Sequence, residues 1–479
     1  MFTRRGIVSR LPAGAFLLGA LSQTKSGQAR EYASAEIARP VSCCPTVATL
    51  QSMESPKEGD MVLLSDDKRS GVFVFRSGDY SRQIDADVLG GVYLAAKAVA
   101  SAKGAWVRQY EGPIRLSWFG ESLGDQAFDT ATRLVRPGGA ILVDADVTIS
   151  GKRTYTKPFV LEDGGGALIG ESFKSGAGRK PPTVFSWVGA VAQSFRVTET
   201  AAPGDVSLRC RSNLKPGEVV VIRNFPNNSS RRRKEIAVVH SNNGEAVALN
   251  SGLLYTYDSI EGFVIERIDW VESPEIRCVM KNISCNHMYV RGLSYRSKYF
   301  ESCRVYHSTC FLVKFSVVEW NGGNSACILG FNESSRGFEV GGYFHSIYLD
   351  DVEGCVKCNQ ASDGMINIVA DSSNNPGRWS AGFMFDQVWI ANPTGYTHVP
   401  SRNLAGRIIA NGTKFALFGS SDKNTLDRAG YISFDVVCRS GFEQVRLKNV
   451  VNCSVRMSGG VPILENVVGH SIQGAFSES

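Results

Sequence analysis

The chain is expected to fold as an all-β, right-handed parallel β-helix with a small β-rich module in front. Three observations predict this. Glycine is abundant at 49 of 479 residues, which suits many short strands joined by turns. Long helical periodicities are scarce. One short pattern (apolar, any, apolar, two of any, apolar) recurs through the second half. It reads Met288-Tyr-Val290-Arg-Gly-Leu293, then Val313-Lys-Phe315-Ser-Val-Val318 and Ile347-Tyr-Leu349-Asp-Asp-Val352, and later Ile432 to Val437 and Val445 to Val450. The alternating pair is a strand with one face inward, and the offset third residue marks a corner. A β-propeller is the competing architecture, but no regular blade period is present.

Composition sets the class. The chain is 43% hydrophobic and 20% charged, so it can bury a core. The net charge of +6 permits an acidic partner without requiring one. Nucleic acid is not expected, because there is only one short basic run, Arg231-Arg-Arg-Lys234. Asn227 to Ser230 before it reads as a loop, and the run is expected to stay solvated there.

Residues 1–29 carry arginines, an apolar stretch from Ala13 to Leu21 and a small-residue end at Gly27-Gln-Ala29. These are the three parts of an export signal, of twin-arginine type given Arg4-Arg5. The competing reading is an N-terminal anchor to a partner particle. No other segment is apolar enough to span a bilayer, so integral membrane association is not expected. Residues 30–45 read as a linker. Residues 46–120 read as the β-rich module and 121–479 as the β-helix, with a hairpin-bearing insertion near 203–270.

The twelve cysteines lack a second CxxC to accompany Cys355-Val-Lys-Cys358, so no metal centre is expected. Cys303, Cys355 and Cys453 follow corner residues and are expected to point inward.

The junction carries a recognisable motif. Gly104, Trp106, Arg108, Gly112, Ile114 and Trp118-Phe119-Gly120 are followed by Gly124-Asp125, Asp129-Thr130, Pro137-Gly-Gly139 and the strand Ala140 to Val143. This segment resembles the one that precedes the β-helix in phage tail-spike and pectate-lyase-like proteins. The family usually shows Gly-Asp-Gly and a double Asp; here Gln126 and a single Asp129 stand instead. The resemblance implies a polysaccharide depolymerase, hydrolase or lyase, acting on a bacterial or plant acidic polymer. It also implies a homotrimer and, for a virion protein, a place in a phage tail or baseplate. A non-catalytic carbohydrate-binding or receptor-binding spike is the alternative. The expected location is periplasmic or extracellular, or the virion tail.

Glycoside hydrolysis commonly uses two carboxyl groups. Aligned on the corner residue, Glu319 follows Val318 and Glu353 follows Val352, so the two are expected to stack on adjacent rungs, with Asp371 closing a later strand. Trp320, Tyr348, Arg378, Trp379 and Trp389 are the candidate sugar contacts. No cofactor is expected for a hydrolase. For a lyase, Asp350 and Asp351 would hold calcium.

Overall fold

The structure is a computed structural model. It describes residues 41–120, 124–172, 181–224, 233–260, 262–324, 329–332, 334–348, 356–358, 361–371, 379–385, 402–411, 414–418, 432–438, 444–448, 454–458, 461–465, 469 and 471–475. The expected signal or anchor at 1–29 lies outside these residues.

The front module is a five-stranded sheet. Ser42–Cys44 pairs in parallel with Met61–Leu64, which pairs antiparallel with Gly71–Ser77, then Gly104–Arg108, then Tyr93–Leu94. The supposed linker therefore ends in a packed strand, with Cys44 buried beside Leu64 and Phe73. The motif residues have structural work here. A side chain at Gly104 would strike the Phe75 ring. Trp106 is fully buried. Arg108 lies between the Phe73 and Trp118 rings, 4.5 Å from each. It donates to the carbonyls of Gly91, Ser70 and Arg69 at 2.6, 2.8 and 2.8 Å. Such a fork suits arginine and not lysine.

The solenoid begins earlier than residue 121. Ile114–Arg115 pairs in parallel with Ala140–Val143, and Trp118 and Phe119 join the solenoid core. The helix Asp125–Leu134 lies over this first rung, its Phe128 ring stacked on Phe185 at 5.2 Å. Asp125 and Asp129 clamp Arg153, both at 2.5 Å. Asp125 also accepts the Ser150 amide at 2.7 Å. The acidic part of the motif thus ties the covering helix to the rung beneath it.

From there the chain is a right-handed parallel β-helix. Each rung from Phe311–Asn324 onward places one strand on a long parallel sheet and one on a ten-stranded parallel sheet, while earlier rungs break the long-sheet segment into two or three short strands. The inward column of the first sheet runs Phe300, Trp320, Phe344, Ala370 in register. That of the second runs Trp187, His287, His307, Phe331, Cys358. Successive rungs use unequal lengths of chain, so inward positions are set by register and not by a fixed sequence period. Cys303 is buried, its thiol 3.4 Å from the Met280 carbonyl. Cys355 and Cys453 lie outside the described residues.

The insertion is larger than the sequence suggests. It is a six-stranded antiparallel sheet running from Ala190–Arg196 to Phe263–Asp269. It leaves the solenoid after Thr183–Val188 and returns at Val271–Glu272. The rungs on either side still pair directly, Thr183 with Ile283 through Val188 with Met288. Lys234 opens a strand, so the end of the basic run is not loop. Residues 225–232 lie outside the described residues. Among the described residues, no helix is long and apolar enough to cross a membrane.

Candidate functional site

The strand Phe311–Asn324 carries Glu319 on the outer face of the long sheet. Its pairing with Arg336–Tyr348 shifts register between Val317 and Glu319. Val317 points inward, Val318 is 68% exposed, and Trp320 again points inward. This extra residue is a β-bulge, a device that re-aims side chains and is frequent beside active sites.

Two correlated columns surround the bulge. The first is Tyr299, Glu319, Tyr343, Val369 on successive rungs. Two residues along each strand, the second is Glu301, Asn321, His345, Asp371, Asn411. Rungs are roughly 4.8 Å apart. Asn321 donates to the Tyr299 hydroxyl at 3.0 Å, and that hydroxyl donates to Glu301 at 3.4 Å. Lys281 sits 3.4 Å from Glu301. The Tyr343 hydroxyl donates to Asp371 at 2.9 Å. Aromatic rings, an amide and three carboxyl groups therefore share one outer patch. Such a surface can stack on sugar rings and exchange protons with hydroxyl or glycosidic oxygens.

Glu353, the expected partner of Glu319, lies outside the described residues. The residue above Glu319 on the next rung is Tyr343. The sequence alignment failed because Ile347 lies in the strand ending at Tyr348, on the long sheet. Val352 and Glu353 fall beyond that strand, outside the described residues. The matching copy Gln444–Lys448 lies on the ten-stranded sheet, so the two copies occupy different faces.

Trp320 is not a surface residue either. It is fully buried, 5.5 Å from Phe300 and 5.4 Å from Phe344. Asp371 ends the strand Ser362–Asp371 and lies on the outer patch. The backbone of Tyr348 ends its strand, and Trp379 opens the strand Trp379–Phe385 on the other sheet. Arg378, Trp389, Asp350 and Asp351 lie outside the described residues. Asn321 and Tyr343 fall in the cluster of aromatic and polar residues that the sequence offers as a saccharide surface, whereas Tyr299 and Glu301 do not stand out in it. Their common signal is position, each one or two residues from an inward aromatic. Among the described residues, no cluster of three metal-ligating side chains is present.

Fold and patch together define a parallel β-helix protein with a polar, tyrosine-bearing outer face. No protein-family model matches the chain, and no curated protein matches it. Solved structures do. The tailspike gp49 of Pseudomonas phage LKA1 is 13% identical, with a TM-score of 0.42 over 74% of this chain and 72% of that one. The Gp54 tailspike of Acinetobacter baumannii bacteriophage AP22, solved with an A. baumannii capsular saccharide, is 12% identical. Its TM-score is 0.38 over 71% of this chain, which spans 61% of that protein's length. The tailspike gp49 of A. baumannii bacteriophage Fri1, named as a capsular polysaccharide depolymerase, is 8% identical. Its TM-score is 0.34 over 91% of this chain and 74% of that one. All three are phage tailspikes, the group that the junction motif resembles.

Proposed function

We propose that this chain is a polysaccharide depolymerase of tailspike type, working on the outer patch around Glu319, Tyr343 and Asp371. The observation that supports it is the bulge that presents Glu319 beside a tyrosine-anchored carboxylate. Glu319 and Asp371 lie two rungs apart, roughly 9–10 Å along the axis. Asp371 is also two residues along its strand from the position in register with Glu319, so the two backbones stand about 11–12 Å apart, beyond the retaining distance, and their side chains must lean together to reach the inverting one. Tyr343 stands between them, able to stack on a sugar and to hold Asp371. Arg378, Trp379 and Trp389 remain candidate contacts for the rest of the polymer.

Release of reducing ends from a panel of bacterial capsular and exopolysaccharides tests this. On a confirmed substrate, Glu319→Gln and Asp371→Asn should each lower kcat by at least a hundredfold. Full activity in both variants overturns the assignment. Binding without cleavage identifies the receptor-binding spike instead. Unsaturated ends and loss of activity with a chelator would point to a calcium-dependent lyase, using Asp350 and Asp351. A homotrimer and placement in a phage tail belong to the same reading. Light scattering and the terminus of protein recovered from its native source test them; cleavage after Ala29 would instead mark an exported protein.

A further inference from the structure

Four glycines lie on the strands that carry the outer patch and its next rungs. Gly341 and Gly342 are on Arg336–Tyr348, Gly364 on Ser362–Asp371 and Gly406 on Arg402–Asn411. Three of them are required by the fold. Gly342 and Gly406 have φ of 148° and 152°, and a side chain at either would strike a backbone carbonyl of the preceding rung, that of Val317 or of Ile366. A side chain at Gly364 would strike the buried Phe338 ring. Gly341 is different. Its φ lies outside the left-handed region, and the described group nearest to an added methyl is the Asn367 carbonyl, at an ordinary 3.7 Å. A glycine in a strand interior weakens it, because it forgoes side-chain packing and loses more chain entropy. Packing and backbone geometry therefore do not account for Gly341.

Gly341 follows the inward Val340 and so faces outward, on the same face as Tyr343 two residues along its strand, about 7 Å away. Glu319 is in register with Tyr343 on the preceding rung. Two residues back from Gly341, Glu339 lies 3.6 Å from Lys314. These two walls, Glu339 and Tyr343, stand about 13 Å apart along the strand. The register partners of Gly341 are Ser316 and Asn367, both exposed. The Asn367 side chain accepts the Arg407 amide at 3.0 Å, and the Tyr343 hydroxyl reaches Asp371 at 2.9 Å. Each thus turns to the rung after its own and leaves the space over Gly341 open. Among the described residues, the cations bordering this space are matched: Lys314 by Glu339, and Arg407 by Asp435 at 3.5 Å. An acidic sugar would meet Glu319 there without a cation to offset it, whereas an uncharged ring has hydroxyl, amide and ion-pair partners for its own hydroxyls.

We propose that Gly341 is the specificity-determining position of the outer patch: its absent side chain seats one uncharged pyranose ring of the polymer beside Glu319 and Tyr343. The seat is about 10 Å long between the Ser316 and Asn367 rungs, room for one ring. Ser316, Asn367 and the Lys314–Glu339 pair stand around it. This rests on the polysaccharide reading above and adds which unit the patch admits next to the cleaved linkage.

Gly341→Val in the full chain tests this, with Gly341→Ala as the milder variant and Gly342→Ala as the control for a glycine the fold needs. The urea midpoint of Gly341→Val should equal or exceed that of the parent protein, since a β-branched residue suits an extended strand. That of Gly342→Ala should fall. On a polysaccharide that the parent cleaves, KM should rise at least about tenfold in Gly341→Val and less in Gly341→Ala, because a filled seat excludes the ring. Ser316→Leu fills the same seat from the preceding rung and should raise KM alike. A parent that binds without cleaving ends the depolymerase reading, and the same ratios are then read on Kd. A lowered midpoint in Gly341→Val, or unchanged KM or Kd in both Gly341→Val and Ser316→Leu, overturns the inference. Among the released oligosaccharides, at least one of the two units that flanked the cleaved linkage should be uncharged; two acidic units overturn the assignment of an uncharged ring.

Discussion

Trp320 shows how one bulge redirects a side chain. Strict alternation from Val313 and Phe315 through Val317 would place Glu319 inward and Trp320 outward. The extra residue at Val318 reverses this, so Glu319 faces solvent and Trp320 enters the aromatic stack. Trp320→Ala should therefore cost about 3–5 kcal/mol of stability, measured by denaturant unfolding, while leaving saccharide binding by folded protein intact. Trp320→Phe should cost clearly less, because the indole N–H has no hydrogen-bond partner among the described residues. A loss of binding with unchanged stability would return Trp320 to the surface. Tyr343 gives the converse case at the patch. Tyr343→Phe keeps the ring but removes the hydrogen bond to Asp371. On a confirmed substrate it should shift the pH profile assigned to Asp371 upward, since a hydrogen bond to the charged carboxylate favours ionisation. An unmoved profile with lowered kcat would give the hydroxyl another role.

At the scale of elements, what the sequence revealed was composition and local alternation. Inward Cys303, the β-rich front module and the junction motif were all readable, because each depends on residues close in the chain. The pairing of rungs was not. Glu319 and Tyr343 are neighbours only because the intervening turn has a particular length, and no local signal encodes which distant strand lies above. The same holds for the insertion, whose edge strand Ala190–Arg196 is distant in sequence from its partner Phe263–Asp269. The junction motif also changes meaning in the structure. Asp125, Asp129 and Arg108 could be taken for site residues, yet they fasten the covering helix and the front module to the solenoid. Arg153→Met should free the helix Asp125–Leu134 and cost about 1.5–3 kcal/mol, because hydrogen bonds to charged groups are lost. Limited proteolysis should then cut near residues 121–135 before anywhere in the later rungs. A variant as resistant as the parent protein would show that Phe128 packing on Phe185 suffices.

For the whole molecule, the most consequential feature of the core is a pair of histidines where an aromatic column is expected. His287 and His307 stack at 5.0 Å between Trp187 and Phe331, and both are buried. The Tyr295 hydroxyl meets Nε2 of His287, whereas neither ring nitrogen of His307 has a hydrogen-bond partner among the described residues. Burial pushes both imidazoles below their ordinary 6.5, with His287 lowered further by His307 and His307 itself reaching about 3. They are therefore neutral aromatic spacers, not proton carriers. The folded value is depressed, so the unfolded chain takes up protons first as pH falls below 6.5. Stability is then full above that pH and declines toward pH 3. At pH 5 His307 should remove on the order of 2 kcal/mol, and His287 acts in the same direction. Most carboxylates remain ionised between pH 6.5 and 5, and Glu235, which does not, is common to both proteins, so the comparison of parent with His307→Phe isolates the ring's share. His307→Phe extends the stack toward Phe331 without a titrating group and should flatten the decline by about half. The buried carboxyl of Glu235, pushed up to about 7, has the opposite sign across the same window and offsets part of the decline. Acid should loosen the inner strands Ile283–Met288 and Arg304–Ser308, which carry the two rings. Midpoints of urea unfolding that do not fall from pH 7 to pH 5, or an undiminished fall in His307→Phe, would remove the histidines from this role.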